Sequence, residues 1–286
     1  MRNRNKILMI VVSLLLCLTL ISSCYLSGIY ARFLKKSTHS TTVSFKKFDI
    51  TVDVNTDFPN TARVTVVDDQ TTLKNTNEYT TKVIQIQNLR MTPGDVYNND
   101  IQFTFSGTPS VDVNVIIDVD VAYTSDAFKV PSGVGGLTAE TIYFPINLTY
   151  GRKVGNTWTK CGAHTTSRVT AIGADVWGDN YIEQQYMTQV NNYFLNPYTD
   201  AQGTLDTSTA DYSSTWTFEK GKEVYFTDAG KTNKITGIAF GFEWPIDYPS
   251  EDATNKLNWN LKETHITNNE PTLTVTYSVT IEQKTN

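Results

Sequence analysis

The chain of 286 residues carries 29 acidic against 24 basic side chains, a formal net charge of −5, and 40% of its residues are hydrophobic. An acidic chain without a basic stripe repels a phosphate backbone, so this composition excludes a nucleic-acid partner. The hydrophobic content is sufficient for a large core, and the length fits one β domain after a leader.

The first part of the chain has the layout of an export signal. A short head with three basic residues precedes an apolar run over residues 7–21. We predict a signal peptide over residues 1–31, with cleavage between Ala31 and Arg32, and therefore a secreted protein at the cell surface or in the extracellular matrix. Removal of the signal leaves 21 basic and 29 acidic side chains, a net charge of −8.

Two alternatives stay open for the same segment. The sequence Ile-Ser-Ser-Cys over residues 21–24 resembles a lipobox, in which Cys24 becomes the lipidated first residue and tethers the domain to the membrane. The apolar run is also close in length to the lower limit of about 17 residues for a permanent membrane span. Cleavage after Ala31 instead releases a chain whose single cysteine is Cys161, so that no disulfide forms within it.

The first strand of the mature chain has alternating apolar residues. They are Val43, Phe45, Phe48, Ile50, Val52 and Val54. This spacing predicts a strand with one buried face within residues 32–54. Such a strand either belongs to its own domain or enters a neighbouring copy as a donor strand, which adds backbone hydrogen bonds and fills alternate side-chain pockets.

The same alternation recurs in later segments. We predict strands over residues 101–105, 111–121, 142–148, 238–244 and 273–281. Turn signals rich in proline and glycine separate several of these strands. Together they predict a mainly β fold, an antiparallel two-sheet sandwich that is jelly-roll-like and forms a single domain over residues 32–286.

One stretch departs from this alternation. Apolar residues recur at spacings near four at Val176, Ile182, Tyr186, Val190 and Phe194. This period predicts an amphipathic helix inserted within residues 174–195. The polar segment 196–214 that follows is predicted to be a long loop.

The residues that catalysis would need are not grouped in the sequence. The three histidines, His39, His164 and His265, do not form the His-Glu-x-x-His pair of helical zinc peptidases. Asp118 and Asp120 alternate with apolar residues and are predicted to lie on a solvent face, and Glu243 lies far away in sequence. We predict a protein that is not an enzyme and has no catalytic residue.

Calcium is the one ion for which the sequence offers ligands. Loops rich in aspartate and asparagine supply oxygen atoms, which calcium prefers. The weak candidates are Asp100, Asp247, Glu251 and Asp252. They lack the EF-hand pattern, and solvated loops are the alternative interpretation. No other cofactor is predicted.

Three segments occur in an order that resembles a known family. The first is Tyr-Ala-Arg-Phe over residues 30–33, and the second is Ile-Gln-Asn-Leu-Arg-Met-Thr-Pro-Gly-Asp over residues 86–95. The third is Phe-Glu-Trp-Pro over residues 242–245, followed by acidic residues and a closing threonine-rich strand. In this order they resemble the TasA/camelysin family of secreted bacterial proteins, which includes biofilm matrix fibre subunits.

The resemblance implies a structural protein that polymerises head to tail with itself into a matrix or pilus-like fibre and contacts other matrix components. It also implies cleavage after Ala31, and it makes the donor strand within residues 32–54 the expected assembly element. Contact with a membrane is expected only through the signal or a lipid. The competing interpretation is a monomeric surface-binding module or adhesin, anchored through Cys24.

Overall fold

The computed structural model describes most of the chain after residue 35. The described residues are 36–45, 48–59, 63–67, 72–74, 77–123, 125–164, 171–172, 181–206, 212–245 and 253–284. The chain divides into two compact units, residues 1–37 and 38–286. The elements below lie in the second unit, apart from the first two residues of the first strand.

The described residues form the following strands and helices. The strands are β1 (Lys36–Phe45), β2 (Ile50–Pro59), β3 (Arg63–Val67), β4 (Thr72–Lys74), β5 (Asn77–Arg90), β6 (Val96–Gly107), β7 (Val113–Tyr123), β8 (Lys129–Val130), β9 (Thr141–Ile142), β10 (Asn147–Val154), β11 (Thr157–His164), β12 (Ala171–Ile172), β13 (Thr204–Asp206), β14 (Tyr212–Phe218), β15 (Ile235–Glu243) and β16 (Thr272–Gln283). The helices are α1 (Tyr181–Tyr193) and α2 (Ala253–Asn268), with short 3-10 helices η1 (Ser125–Phe128) and η2 (Val134–Gly136).

Two large antiparallel sheets contain most of these strands. The six-stranded sheet has the order β1-β2-β6-β15-β10-β11. The seven-stranded sheet has the order β13-β14-β7-β16-β5-β3, with β4 also paired to β5. A small third sheet has the order β12-β9-β8. The predicted antiparallel two-sheet sandwich is confirmed.

The two large sheets pack face to face because each buries its alternating apolar residues. Phe240 on β15 stacks on Tyr277 of β16, with ring centroids 4.6 Å apart. On β7 the buried side chains are Val113, Val115, Ile117, Val119 and Val121. Asp118 lies between them on the outer face and is half-buried, and Asp120 is exposed there, as predicted.

One predicted strand is wrong. Residues 142–148 do not form a single strand, because β9 ends at Ile142 and β10 begins at Asn147. The four residues between them are all buried, so this segment has no outer face. Pro145 also has no backbone N–H to donate to a ladder. The alternation of apolar residues here reflects continuous burial and not a half-buried strand.

The helix predicted within residues 174–195 is confirmed as α1, and Tyr186, Val190 and Phe194 are buried. Val176 lies outside the described residues. The loop predicted over residues 196–214 is wrong in part, because it contains β13 and the start of β14.

The prediction of a single helix is wrong, because α2 is a second one. It packs on η2 and β8 and buries Lys262 and Glu263, while Leu257 and Leu261 are exposed. Glu263 accepts a hydrogen bond from the Tyr143 hydroxyl at 3.3 Å. Since the buried side of α2 is partly charged, its sequence does not show the apolar stripe that predicts a helix.

Candidate functional site

The amino-terminal strands are the predicted assembly element, and β2 lies second from one edge of the six-stranded sheet. It pairs with β6 from Ile50 to Thr56, and β1 lies on its other side at the sheet edge. The apolar side chains of this region that fill the core are Phe48, Ile50, Val52, Val54 and Phe58. Val43 and Phe45 lie on β1, of which the structure describes only the backbone, so the prediction of one strand for all six apolar residues is wrong.

The core side chains of β2 lie beside aromatic residues of its own domain. Val52 is opposite Phe105 and Val54 is opposite Phe103 on β6. The ring of Phe58 lies 5.9 Å from that of Tyr97 and 6.2 Å from that of Phe242. In the single chain, then, β2 is a strand of its own sandwich, which is one of the two alternatives from the sequence.

Some buried polar atoms of β2 have no hydrogen-bond partner. Thr56 points into the core and is fully buried, yet its hydroxyl makes no hydrogen bond within the described chain. On the outer face, one carboxylate oxygen of Asp53 is also buried without a hydrogen bond, while the Asn55 amide donates to Gln102 at 3.3 Å. A buried hydroxyl without a partner costs free energy, so β2 is held less firmly than its apolar residues alone imply.

Two segments that carry the family resemblance contact each other. In the turn over residues 92–95, the Thr92 backbone N–H donates a hydrogen bond to the Asp95 carboxylate at 2.6 Å. The Gly94 N–H then donates to the Trp244 carbonyl at 2.7 Å, and the Trp244 N–H donates to the Asp95 carbonyl at 2.9 Å. Since Trp244 is fully buried, the turn is attached to the end of β15 and to the core.

Asp100, one of the calcium candidates, lies in β6 and not in the predicted loop. The strand begins at Val96 and bulges opposite Phe240 and Phe242, where the register shifts. Gly241 is required beneath the bulge, because a Cβ there would lie 1.9 Å from the Tyr97 carbonyl oxygen. The bulge leaves Asp100 only 9% exposed.

The bulge also brings carboxylates near Tyr97. Its pKa is raised to about 12, first by burial and then by the negative charges of Asp95 and Asp100. Nevertheless, no three histidine, cysteine, aspartate or glutamate side chains in the described part of the chain are close enough together to hold a metal ion. The other candidates, Asp247, Glu251 and Asp252, lie outside the described residues, so calcium binding stays a prediction.

The carboxylates considered for catalysis lie in different sheets. Asp118 is on the outer face of β7, where Ser278 donates to it at 3.4 Å. Glu243 ends β15, pairs with Lys160 at 2.5 Å and accepts a hydrogen bond from Asn147 at 3.3 Å. Asp118 and Glu243 therefore do not form a pair.

Cys161 lies half-buried on β11 in a cluster with Arg152 and Tyr193. Burial raises the pKa of its thiol, although the Tyr193 hydroxyl and the Arg152 guanidinium act in the opposite direction. Arg152 forms an ion pair with Asp228. Burial acts to raise the pKa of Asp228, but hydrogen bonds from Asn233 and Arg152 outweigh it and hold that pKa below 3.8. A thiol that stays protonated is a poor nucleophile.

The sequence did not predict a polar groove at one end of the seven-stranded sheet. It has a volume of about 430 Å³, and residues from the 196–204 segment and from the end of β14 line it. Its walls come from segments far apart in the chain, including Asp112 and Lys284. The polar composition of residues 196–214 was the only signal for it.

Comparison with known proteins finds no family model, no curated protein and no solved structure that matches this chain. The family resemblance therefore remains an expectation from the residues that carry it. In the part of the chain that the structure describes, no helix has the length and apolar character needed to cross a bilayer. The predicted signal, the junction between Ala31 and Arg32, and Cys24 lie outside the described residues.

Proposed function

We propose that this chain is a secreted, non-enzymatic structural protein that polymerises into fibres by exchange of its amino-terminal strands, as the resemblance to the TasA/camelysin family implies. The observation that supports this proposal is the position of β1 and β2. They follow the predicted cleavage site, they lie at one edge of the six-stranded sheet, and β2 fills the core with alternate side chains.

The buried side chains of β2 set the energy scale of the exchange. Four apolar side chains at about 2 kcal/mol each give roughly 8 kcal/mol of burial in the pocket of one domain. A domain without this strand would expose the facing side of β6, including Phe103 and Phe105. The same strand of a second copy would restore these contacts, so exchange replaces one set of interactions with an identical set.

Strand exchange of this kind links the subunits head to tail and does not form a closed ring. Each subunit gives its own strand to one neighbour and receives a strand from another, and such head-to-tail contacts generate filaments. The predicted signal adds control, since the leader holds the amino terminus until cleavage between Ala31 and Arg32 releases it. Polymerisation would then begin only outside the cell.

Electron microscopy of the purified chain that starts at Arg32 tests this function. We expect filaments at neutral pH, and we expect none from a chain that lacks residues 32–54. Incubation with and without calcium tests the candidates Asp100, Asp247, Glu251 and Asp252. Uniform single particles under every condition would contradict the proposal and favour a monomeric surface-binding module anchored through Cys24.

A further inference from the structure

The polar groove forms where β13 stops pairing with β14. The ladder joins Thr204 to Thr215 and continues to Asp206, whereas Gln202 forms an isolated bridge with Leu195. Beyond Thr215, Trp216 and Thr217 of β14 line the groove together with the 196–202 segment. The groove is also lined by four charged residues from three separate segments of the chain, Asp112, Glu219, Lys220 and Lys284.

The wall of the groove is held in place by hydrogen bonds. The Asn196 side chain donates to the Thr217 carbonyl and accepts from the Tyr198 N–H at 2.9 Å. The Asn196 N–H donates to the Ala201 carbonyl at 2.9 Å. Gly203 lies so close to the buried Trp216 ring that a Cβ there would be 2.8 Å from it. The groove is thus formed before any ligand binds, which lowers the cost of binding.

Several uncharged polar side chains of the groove are available to form hydrogen bonds with a ligand. Gln202, Thr204 and Thr215 line it, and within the described residues no hydrogen bond engages their side chains. Gln202 and Thr204 are exposed. An amide and two hydroxyls offer both donors and acceptors at one surface.

The charges and apolar atoms of the groove restrict the class of ligand. Two carboxylates, Asp112 and Glu219, balance two ammonium groups, Lys220 and Lys284, and the Asp112 carboxylate already accepts from the Lys220 N–H at 2.8 Å. A groove without net charge does not favour a phosphate or a metal cation. Trp216 is only 1% exposed, so the groove offers little surface to an apolar ligand.

We propose that the polar groove is a binding site for a neutral saccharide. Sugar hydroxyls both donate and accept, which matches the amide of Gln202 and the hydroxyls of Thr204 and Thr215. The volume of about 430 Å³ lies within the range of small-molecule sites. This site is independent of strand exchange, since β1 and β2 contribute no residue to it.

Calorimetric titration of the full chain, in a zwitterionic detergent that contains no sugar, tests this site. The probes are cellotetraose, maltotetraose and N-acetylchitotetraose, with trigalacturonate as the anionic comparison. We expect at least one neutral probe to bind with a Kd of about 1 mM or tighter. The double variant Gln202→Ala with Thr204→Ala should weaken that binding about tenfold, which is about 1.4 kcal/mol.

The matched control is Thr138→Ala with Asn269→Ala, two exposed residues outside the groove, and it should bind like the parent. Thr215→Val provides a second test that conserves shape, with an expected weakening of about threefold from the loss of one hydrogen bond. The proposal is overturned if no neutral probe binds, if only trigalacturonate binds, or if the groove variants bind as tightly as the parent.

Discussion

β2 lies near the start of the sandwich and β16 is its last strand, and both alternate apolar with polar residues. β16 lies between two partners, pairing with β7 from Leu273 to Gln283 and with β5 over nearly the same length. β2 pairs with β6 from Ile50 to Thr56 and has the edge strand β1 on its other side. A strand with an edge neighbour can leave a sheet with fewer changes than a strand in its centre.

The polar side chains on the outer faces of the two strands also differ, because those of β16 have more hydrogen-bond partners than those of β2. On β16, Thr280 forms a hydrogen bond with Thr81 at 3.0 Å, and Thr276 accepts from Gln85 at 3.4 Å. On the outer face of β2, one oxygen of Asp53 and the amide oxygen of Asn55 are buried without a hydrogen bond, while each strand also has one such hydroxyl in the core, Thr56 on β2 and Tyr277 on β16. Unsatisfied polar groups on the outer face lower the cost of removing β2 from its sheet, so equal apolar burial does not hold the two strands equally firmly.

The largest expected effect lies on β16. Tyr277→Ala should lower the free energy of unfolding by about 4 kcal/mol, because the side chain is fully buried and stacks on Phe240. Urea denaturation of the monomeric protein measures this loss. Thr274→Val, on the outer face of the same strand, is the control and should stay within about 0.5 kcal/mol of the parent. A loss for Tyr277→Ala below about 2 kcal/mol would contradict the central role of β16.

The matching substitution on β2 should affect both stability and assembly. Ile50→Ala should cost about 3 kcal/mol, because Ile50 is fully buried, and Ile50→Val about 1 kcal/mol. Since the same side chain would fill the pocket of a neighbour, the filament yield seen by electron microscopy should fall in the same order. Equal filament yields from all three proteins would argue against β2 as the exchanged strand.

A substitution at the other side of the same sheet separates stability from assembly. Asp228→Asn removes the charge that pairs with Arg152 on β10 and should cost about 2 kcal/mol at pH 7. Because the pKa of Asp228 is held below 3.8, its contribution is present above that pH and is lost as the pH falls through the lowered pKa.

Denaturation at pH 7 and at about pH 2 should therefore show a difference between the parent and Asp228→Asn that shrinks in acid. Filament yield at neutral pH should be unchanged, because β10 is separated from β2 by two strands. A parallel fall in filament yield would mean that general stability, and not β2, controls assembly.

The smallest expected effect is a gain in stability. Thr56→Val replaces the buried, unpartnered hydroxyl with a methyl group and should stabilise the monomer by about 1 kcal/mol. It should also slow filament growth, which light scattering follows, because β2 without the unsatisfied hydroxyl is harder to remove from its own domain. Thr51→Val on the outer face of β2 is the control. Faster growth of Thr56→Val filaments would contradict the proposed role of the unsatisfied hydroxyl.

The alternating strands could be predicted because a sheet with one buried face leaves a period of two in the sequence. β7 and β16 follow this rule along most of their length. The rule fails where burial is continuous, as at Tyr143 and Phe144, and where a helix buries charge, as α2 does with Lys262 and Glu263. In those places tertiary contacts, and not local periodicity, determine the structure.

In the candidate sites, too, local spacing predicted some features, and long-range contacts determine the others. The apolar residues of β2 were predicted from spacing, but Thr56 was not, since a threonine does not distinguish a buried face from an exposed one. The contact between the 92–95 turn and Trp244 joins segments that are far apart in the sequence, as does the groove, which Asp112 and Lys284 both line. A single sequence contains no local signal for such long-range contacts.

Disulfide trapping tests strand exchange most directly. Asn55 on β2 lies opposite Gln102 on β6, and Ser278 on β16 lies opposite Asp118 on β7. Directly opposite residues in an antiparallel pair are close enough for a disulfide. One protein carries Asn55→Cys with Gln102→Cys, the control carries Ser278→Cys with Asp118→Cys, and both carry Cys161→Ser.

Filaments of each protein are grown under reducing conditions, oxidised, and separated on a denaturing gel without reductant. Exchange of β2 predicts a ladder of covalent multimers for the β2–β6 pair and monomers for the β16–β7 pair, because only the first pair would join different chains. Oxidised filaments in which the β2–β6 pair yields monomers alone would contradict the account, since β2 would then remain in its own domain.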